Sequence, residues 1–541
     1  MMTSSGFAGF LRLLGAVASG LLLASCFTPY ELRFAAWFAL VPLLLVARYS
    51  NPGMAFKLGM LCGFIFWLSA LSWLLCLDGK GVPAWFAFAG WALLAAYCAL
   101  YVAAFSMVVS RWFASWGTDN WLKNIVLTLG IPLLWVGFEY LRAHLFSGFP
   151  WNELGISQAF ARSQYGRSIC QLAEWGGVYA VSALIVLFNA GLAMTVIRHS
   201  GTPLGNRYRA HPELSITLVL VALGVLLGSR ALQTNAVQRF PNMSIALVQP
   251  NVPQVEKWSE DFAQEIFVKL RTLTRKSVGP GLDLIVWPET SVPDNVLCSA
   301  ECLAFMDNLL SNGVPILAGS TDARLAPDNA VQYYNCSILF QPGGAPPQIY
   351  DKQHLAPLGE YAPLGAWIPA IQRFAPEGWT SLIPGTNSVV FTLEKRPDIR
   401  FSALICFEDA FPGLARDSVR KGARLLIDQS NDAWFDVSGG PRQHLAHCTF
   451  RCIENRVPCV RATNTGISCV IDTTGSIPAD GELAPLVEGF LPVSVAVPGP
   501  DMPLTFYTRN GDILALPCGL LAAACFVLVL LRERRIKSAA V

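Results

Sequence analysis

Three side chains that could carry out acyl transfer stand where short apolar segments of the sequence end. They are Glu289 in VWPET, Lys352 in YDKQHLAPLGEY and Cys406 in LICFED. A thiol with an ordinary pKa of about 8.5 needs a base or a cation before it attacks a carbonyl group. A glutamate can accept the thiol proton, and a lysine ammonium can stabilise both the thiolate and the oxyanion formed on attack. The set therefore predicts thioester chemistry that needs no histidine.

Each of these residues also has an ordinary structural interpretation. A glutamate after Trp-Pro can cap a turn, a lysine is usually solvated, and a cysteine in a strand is usually a core residue. Glu408 and Asp409 follow Cys406 closely and would by themselves disfavour a thiolate. Glu360, eight residues after Lys352, is a candidate to orient the lysine or the base. Spacing alone does not show that these side chains meet.

The candidate residues lie in a part of the chain whose pattern is typical of layered α/β structure. Between residues 240 and 500, β-rich segments such as MSIALVQP, LDLIVWPET and FSALICFED alternate with helical patterns over 256–276 and 441–455. Such alternation predicts strands and helices packed in layers. The near-continuous Ile, Leu and Val predicts strands that are buried on both faces. The three candidate side chains would then stand at strand ends.

The rest of the chain is apolar enough to lie in a membrane. The 541 residues are 53% hydrophobic and 14% charged, against about 25% charged in soluble domains. Candidate spans of about 20 residues begin near residues 7, 31, 58, 82, 124, 173, 214 and 512. We therefore expect a seven-helix transmembrane region over 1–236, a catalytic domain over 237–505, and a C-terminal helix with a basic tail over 506–541.

Basic residues predict the orientation of these spans. They follow the second, fourth and sixth spans and crowd the tail from Arg532 to Lys537, although Arg142, Arg162 and Arg167 after the fifth span weaken the contrast. The pattern predicts a multi-pass protein of the bacterial inner membrane with both termini in the cytoplasm and the catalytic domain in the periplasm. The net charge of +2 gives no reason to expect nucleic acid as a partner.

The first apolar segment has two interpretations. A basic residue, an apolar run and LASC ending at Cys26 imitate the signal peptide of a lipidated protein. However, FTPYELRF and another apolar span follow Cys26, where a lipoprotein has a polar tether. This favours a retained helix.

A second ambiguous motif is HLAHCTFRC, which begins at His444. It places His444, His447 and two cysteines at spacings that a zinc site can use. Core packing of one helix explains the same spacing and is the interpretation we favour. We therefore expect neither a metal nor a cofactor.

The order and local motifs of Glu289, Lys352 and Cys406 resemble the Glu-Lys-Cys triad of the nitrilase superfamily. With the membrane part added, the chain resembles the bacterial apolipoprotein N-acyltransferases over essentially its whole length. The other segments that carry the likeness are LLWVGFEYLRAHLFSGFPWNELGISQ, LVQPNVPQVEKW, YDKQHLAPLGEYAPL, DQSNDAWF with GPRQHL, and VRATNTGIS. The resemblance implies an αββα sandwich for the catalytic domain.

The resemblance also implies a two-stage reaction. Cys406 would take an acyl chain, typically the sn-1 chain of phosphatidylethanolamine, as a thioester. The α-amino group of a lipoprotein's diacylglyceryl-cysteine would then attack that thioester. Glu289 would be the general base and Lys352 the oxyanion donor, with Glu360 as a supporting carboxylate.

Three further positions matter in the family that the chain resembles. The resemblance implies functional importance for Trp258 and Glu408. Glu408 either faces the incoming amine or makes a structural hydrogen bond to a neighbouring strand. The family commonly has a tyrosine where this chain has Phe407, which removes a hydroxyl group and keeps an aromatic ring.

Two other functions fit parts of the pattern. A membrane-tethered amidase or nitrilase would use the same triad with water as the final acceptor. A transporter or channel with a degenerate outer domain would need charges within the membrane, and few are present. Because eight spans favour a lipid substrate and the triad is intact, we expect a monomeric acyltransferase with a phospholipid donor and an apolipoprotein acceptor.

Overall fold

The structure, a computed structural model, describes residues 4–118, 120–160, 163–201, 211–236, 240–257, 259–357, 359–361 and 381–539. Within these residues the helices are α1 (Ser4–Ser25), α2 (Val41–Arg48), α3 (Pro52–Ala70), α4 (Ala84–Trp116), α5 (Trp121–His144), α6 (Gln164–Cys170), α7 (Ala173–Gly201), α8 (Pro212–Ala236), α9 (Glu260–Ser277), α10 (Ala300–Leu310), α11 (Pro412–Arg420), α12 (Gly440–Asn455), α13 (Phe506–Asn510) and α14 (Ala515–Ala539). The strands are β1 (Asn242–Gln249), β2 (Leu284–Val286), β3 (Ile316–Leu325), β4 (Val331–Phe340), β5 (Gln348–Asp351), β6 (Phe391–Leu393), β7 (Arg396–Ile405), β8 (Leu425–Ser430), β9 (Cys459–Thr463), β10 (Ser468–Ile471), β11 (Glu482–Leu483) and β12 (Gly489–Ala496).

The chain divides into two compact units. The helical unit consists of residues 1–75, 85–234 and 510–541, and the α/β unit consists of residues 76–84 and 235–509. Residues 76–84, which lead into α4, belong to the α/β unit.

The helical unit carries the candidate membrane spans. In the described part of the chain, seven helices are long and apolar enough to cross a bilayer, namely α1, α3, α4, α5, α7, α8 and α14. Each covers at least the 19 residues of Pro52–Ala70, which meets the length of about 20 residues that a hydrocarbon core requires. The predicted polytopic helical region is confirmed.

The span expected near residue 31 is shorter than the others. It consists of a 3₁₀ helix over Arg33–Trp37 and the eight-residue helix α2. Pro42 lies in the first turn of α2, and because a proline lacks an N–H and its ring clashes with the preceding turn, it begins a helix rather than continuing one. Eight residues rise only about 12 Å, so the expected span is a broken, short segment.

The α/β unit contains two six-stranded sheets. Their strand orders are β12-β1-β2-β3-β4-β5 and β11-β10-β9-β8-β7-β6. β1, β2 and β3 are parallel, as are β7, β8 and β9, and antiparallel strands flank both groups. Parallel strands occur where both faces of a sheet are covered, which explains their near-continuous apolar sequences.

The two sheets pack face to face over one hydrophobic core. Leu247 of the first sheet and Ile427 of the second belong to the same cluster of fully buried side chains. On the outer face of the first sheet, α9 and α10 contribute Leu270 and Met306 to a second cluster. α11 and α12 pack against the second sheet. The predicted αββα sandwich is confirmed.

Helix α9 shows how local sequence produces this layering. Its buried residues Ile266, Leu270 and Leu273 recur every three or four positions, so that they form one apolar stripe. Polar residues of the same helix, such as Asp261, Glu265 and Arg271, are exposed. The stripe packs against the first sheet.

The strand directions bring several candidate side chains to one edge of each sheet. β5 runs in the same direction as β3, because two antiparallel pairings separate them. The carboxyl ends of β2 and β5 therefore lie on the same side of the first sheet. Those of β7 and β8 likewise lie on the same side of the second sheet. In α/β folds ligands bind outside the carboxyl ends of the strands.

Candidate active site

Cys406 forms the turn between β7 and a short 3₁₀ helix over Cys406–Ala410. Its φ of 52° lies in the left-handed region, which costs a non-glycine residue roughly 1–2 kcal/mol and is typical of residues held in place at functional sites. β7 and β8 are parallel neighbours, so Asn431, which follows β8, lies beside this turn. Its backbone N–H donates a hydrogen bond to the Cys406 sulfur.

Lys352 follows β5 directly and joins the two candidate carboxylates. Its Nζ lies 3.0 Å from Oε1 of Glu289 and 2.9 Å from Oε1 of Glu360. The side chains of Lys352 and Glu289 are 2% and 7% exposed, so the group is shielded from water. The structure thus brings three of the predicted site residues into one ion-paired cluster.

Glu289 reaches this cluster because β3 allows a very close approach. A Cβ atom at Gly319 of β3 would overlap the carbonyl oxygen of Pro288 and lie 2.7 Å from the Cα of Glu289. Only a residue without a side chain lets the two backbones come so near. Gly319 therefore helps to determine where the glutamate lies.

Asn335, in the middle of β4, is a site residue that the sequence analysis missed. Its Nδ2 donates to Oε1 of Glu289 and to Oε1 of Glu360, both at 2.8 Å. The backbone N–H of Lys352 donates to the Asn335 carbonyl oxygen at 2.8 Å. Asn335 therefore holds the two carboxylates and the lysine in one arrangement.

Lys257 is a second site residue that the sequence analysis missed. Its side chain is buried, and its Nζ donates to the carbonyl oxygen of Glu289 at 2.9 Å. The same turn contains Gln254, whose Oε1 accepts a hydrogen bond from Asn431 Nδ2 at 2.8 Å. The turn after β1 thus contacts the chain segments that carry the glutamate and the backbone donor of Cys406.

The charged groups determine the resting protonation state of the site. Burial raises the pKa of Cys406 well above its ordinary value, Glu289 adds to the rise, and Lys352 opposes it. Burial also raises the pKa of Glu289, but Lys352 and Lys257 outweigh burial and lower it. Burial lowers the pKa of Lys352, yet Glu289 and Glu360 outweigh burial and keep it well above its ordinary value. The resting site therefore holds a neutral thiol, an ionised glutamate and a protonated lysine.

Glu408 is fully buried and accepts hydrogen bonds from two chain segments. The Tyr350 hydroxyl lies 2.9 and 2.8 Å from its two oxygens. The backbone N–H groups of Gln353 and His354 donate to Oε1 at 2.6 and 3.1 Å, and that of Ile405 donates to Oε2 at 2.8 Å. Burial raises the pKa of Glu408 to about 7, although these hydrogen-bond donors favour the ionised form and lower it. The carboxylate thus ties the segment after β5 to the turn after β7.

Phe407, the residue after the nucleophile, packs among aromatic rings. The Phe407 ring lies 5.9 Å from the His354 ring and packs edge-on against Phe411 at 5.1 Å. Trp258 lies outside the described residues.

A buried ionic cluster lies behind the nucleophile turn. Among the described residues, the group with the spacing of metal ligands is Asp409, Asp428 and Cys448. Nη1 of Arg461 lies 3.1 Å from Asp409 Oδ2 and 3.5 Å from the Cys448 sulfur, and it also contacts Asp428 Oδ2. A guanidinium therefore occupies the space among the three ligand atoms.

His444 belongs to the same cluster. Its Nε2 lies 3.0 Å from Asp409 Oδ1 and its Nδ1 lies 3.0 Å from Asp432 Oδ1. In the described part of the chain, the grouping of His444 and His447 with two cysteines is not among those with metal-ligand spacing. The imidazole instead links the 3₁₀ helix that begins at Cys406 to the residue after Asn431.

Two family models match the chain, one in its N-terminal part and one in its C-terminal part. The apolipoprotein N-acyltransferase N-terminal domain matches residues 19–191, and the carbon-nitrogen hydrolase domain matches residues 244–484. The apolipoprotein N-acyltransferase of Geobacter metallireducens is 34% identical over 524 residues, which cover 96% of this chain and 95% of that protein. The chain belongs to the apolipoprotein N-acyltransferase family.

One further relative and one solved structure match parts of the chain. The apolipoprotein N-acyltransferase of Rhodopseudomonas palustris is 32% identical over 463 residues, covering 82% of this chain and 80% of that protein. Saccharomyces cerevisiae Nit3, a member of the nitrilase superfamily, is 22% identical and covers 50% of this chain and 95% of its own length, with a TM-score of 0.36. The predicted class, a membrane-embedded acyltransferase, is confirmed by the family membership.

Proposed function

We propose that this enzyme transfers an acyl chain from a phospholipid to the α-amino group of an N-terminal S-diacylglyceryl-cysteine on a lipoprotein, through a thioester on Cys406. The observation that carries the proposal is the buried group of Glu289, Lys352 and Glu360 beside the strained Cys406 turn. It contains a nucleophile, a base and a cation, which are the groups that thioester chemistry requires. Phosphatidylethanolamine, through its sn-1 ester, is the proposed donor.

In the first stage, Glu289 takes the proton of the Cys406 thiol while the sulfur forms a bond to the ester carbonyl carbon. Lys352 and the Asn431 N–H stabilise the oxyanion. The tetrahedral intermediate then expels the lysophospholipid alkoxide, which takes the proton from Glu289. The thioester and a neutral lysophospholipid are left.

In the second stage, the neutral α-amino nitrogen attacks the thioester carbonyl carbon. Glu289 takes the proton that the nitrogen loses, and the carbon–sulfur bond breaks. The departing sulfur of Cys406 recovers the proton from Glu289, and the amide product leaves. The raised pKa of the resting thiol suits this cycle, because the nucleophile ionises only during attack and does not persist as a free thiolate.

The supporting residues have proposed roles that follow from their contacts. Glu360 and Asn335 hold the Lys352–Glu289 pair. Glu408 positions the nucleophile turn, since its oxygens accept hydrogen bonds from both flanking segments. Trp258 is proposed to contact substrate, on the family resemblance alone.

We further propose an inner-membrane monomer whose α/β unit lies in the periplasm and whose termini lie in the cytoplasm. The seven long apolar helices and the basic tail support this orientation. Both proposed substrates are lipid-anchored, so an enzyme held at the bilayer meets them by diffusion in two dimensions.

Reconstitution tests the transfer reaction. The purified protein in vesicles of phosphatidylethanolamine is mixed with a synthetic peptide that bears an N-terminal S-diacylglyceryl-cysteine. The proposal predicts an N-acylated peptide and lysophosphatidylethanolamine in equal amounts. Release of free fatty acid with no acylated peptide would instead show a hydrolase.

A further inference from the structure

We propose that Lys257 is the second cation of the active site and stabilises the negative charge that passes from Glu289 to the Cys406 sulfur when the thiol is deprotonated for attack. Lys257 acts as a positioning residue and charge partner, because its recorded contact is to the backbone of Glu289 and not to a reacting atom. The inference rests on the proposed thioester reaction. It adds a residue that the Glu-Lys-Cys triad does not contain.

The first support is the location of the ammonium. The Lys257 side chain is 3% exposed, and its Nζ donates to the Glu289 carbonyl oxygen at 2.9 Å. A buried ammonium is costly unless it is paired or hydrogen-bonded. Its position on the backbone of the residue that carries the base indicates a use for the charge.

The second support is the way in which the turn is held. Asn464 Oδ1 accepts from the Val252 N–H at 2.9 Å, and Asn464 Nδ2 donates to the Val252 carbonyl oxygen at 2.7 Å. Gln254 in the same turn accepts from the Asn431 side chain. The first half of the turn is thus fixed, and the Lys257–Glu289 hydrogen bond holds its second half against the residues after β2.

The third support is the charge of the site. Lys352 is already paired with two carboxylates, those of Glu289 and Glu360, so this cluster without Lys257 would carry a net charge of about −1. In the proposed reaction Glu289 takes the thiol proton, so this uncompensated negative charge passes to the sulfur and then to the oxyanion in a buried site. Lys257 brings the cluster to neutrality both at rest and during attack.

The charged groups near the Cys406 sulfur are consistent with this charge balance. Glu289 and Asp432 disfavour its ionisation, and Lys352 favours it. Lys257 is also coupled to the sulfur. Burial lowers the pKa of Lys257 to about 8, against the opposing effect of Glu289 and Cys406. The side chain is therefore mostly protonated at neutral pH and loses its charge in mildly alkaline solution.

The test measures the ionisation of Cys406 without any lipid substrate. The full-length protein in detergent is given a short pulse of iodoacetamide at pH values from 6.5 to 9.5, denatured, and labelled with an isotopically heavy form of the reagent. Trypsin releases residues 401–416, in which Cys406 is the sole cysteine. The light-to-heavy ratio of this peptide gives the alkylation rate of Cys406.

Lys257→Met is expected to slow alkylation about tenfold or more at each pH below 8, which corresponds to a rise of about one unit in the thiol pKa. Lys257→Arg, which keeps the charge, is expected to restore most of the rate. Lys395→Met, an exposed lysine at the opposite end of β7, is the matched control and is expected to be neutral. Thermal unfolding of each variant monitors the fold.

The shape of the pH profile separates a charge effect from a packing effect. In the wild type, the alkylation rate should rise less than tenfold per pH unit above pH 8, because Lys257 loses its proton there. In Lys257→Arg the rise should stay near tenfold. A packing role for the side chain predicts no difference in this slope.

Three results would overturn the inference. The first is a wild-type alkylation profile in Lys257→Met, and the second is equal slowing in Lys257→Met and Lys257→Arg. The third is loss of folding in both Lys257→Met and Lys257→Gln, which would show that the side chain is structural. Because alkylation uses no phospholipid, the assay also stands apart from the proposed function. A shifted profile in a protein that forms no acyl adduct would retain the charge role and reject the acyl transfer.

Discussion

The ammonium of Lys352 and the carboxylate of Glu289 lie 3.0 Å apart in a site where neither side chain is more than 7% exposed. Two charges can remain in such a place only if they are paired and hydrogen-bonded. Glu360 and Asn335 supply those additional hydrogen bonds. This buried pair is what gives the nucleophile both a base and an oxyanion donor.

The first prediction concerns the base. Glu289→Gln keeps the shape of the side chain but cannot accept the thiol proton, so acylation of Cys406 should slow by about 100-fold or more. The rate is measured in a single turnover with phosphatidylethanolamine by the mass of the intact protein. Glu301→Gln, a change at an exposed position of α10, is the control, and acylation of Glu289→Gln at a near-wild-type rate would remove Glu289 as the base.

The second prediction separates the two interpretations of Glu408. Because its oxygens accept hydrogen bonds from Tyr350, Gln353 and Ile405, Glu408→Gln must place an amide N–H against existing donors. We expect a loss of about 1–3 kcal/mol in the free energy of unfolding, seen as a lower midpoint of thermal unfolding in detergent, together with slower acylation of Cys406. Normal stability and normal acylation with loss of transfer to the peptide would instead place Glu408 at the amine.

The third prediction concerns the contribution of residues 76–84 to the site. Lys80 Nζ donates to the carbonyl oxygens of Ala433 and Trp434 at 2.7 and 3.0 Å, and it pairs with Asp436 at 2.8 Å. These contacts hold the segment that begins with the backbone donor Asn431. Lys80→Met should therefore slow acylation of Cys406 several-fold.

A matched change tests which of these contacts matters. Asp436 is about half exposed, and an exposed ion pair contributes little, so Asp436→Asn should have a small effect in the same single-turnover measurement. Equal effects of Lys80→Met and Asp436→Asn would show that the ion pair, and not the carbonyl contacts, holds the segment.

The fourth prediction concerns the pH dependence of stability. Burial lowers the pKa of His444, but the carboxylates of Asp409 and Asp432 prevail and raise it to about 10. A base whose pKa is higher in the folded protein stabilises it most below its unfolded pKa of about 6.5, and that stability is lost as the pH rises through 10. The wild-type midpoint of thermal unfolding should therefore fall between pH 7 and pH 10.

His444→Gln should lower the midpoint at pH 6 and flatten this alkaline decline, because the variant has no proton to lose. The expected loss at pH 6 is on the order of 3 kcal/mol, as for other broken buried ion pairs. His199→Gln, a change at an exposed position near the end of α7, should leave the profile unchanged. An identical alkaline decline in wild type and His444→Gln would show that the imidazole is neutral in the cluster.

The parts of the site that the sequence predicts are those at strand ends. Glu289, Lys352 and Cys406 each follow an apolar run, which marks them as candidates at strand ends but does not show that they meet. Glu360 is a candidate because it is a carboxylate eight residues after Lys352. The layered fold could be predicted because strand and helix patterns are properties of short, local segments of the sequence.

The parts that could not be predicted depend on contacts between distant segments. Asn335 lies within the strand YYNCSILF, and alternation does not show which neighbouring strand end a polar residue meets. Lys257 stands in a turn, and its contact with Glu289 depends on the order of strands in the sheet. The contact of Lys80 with Ala433 joins residues 353 positions apart, which no local pattern indicates.

The central claim is the acyl thioester on Cys406. The purified protein is incubated with phosphatidylethanolamine beside a Cys406→Ala control, and the mass of each intact protein is recorded before and after addition of a diacylglyceryl-cysteine peptide. We predict an added fatty-acyl mass in the wild type alone, which the peptide discharges and water does not. An equal adduct in Cys406→Ala, or no adduct with the phospholipid, would contradict the thioester mechanism.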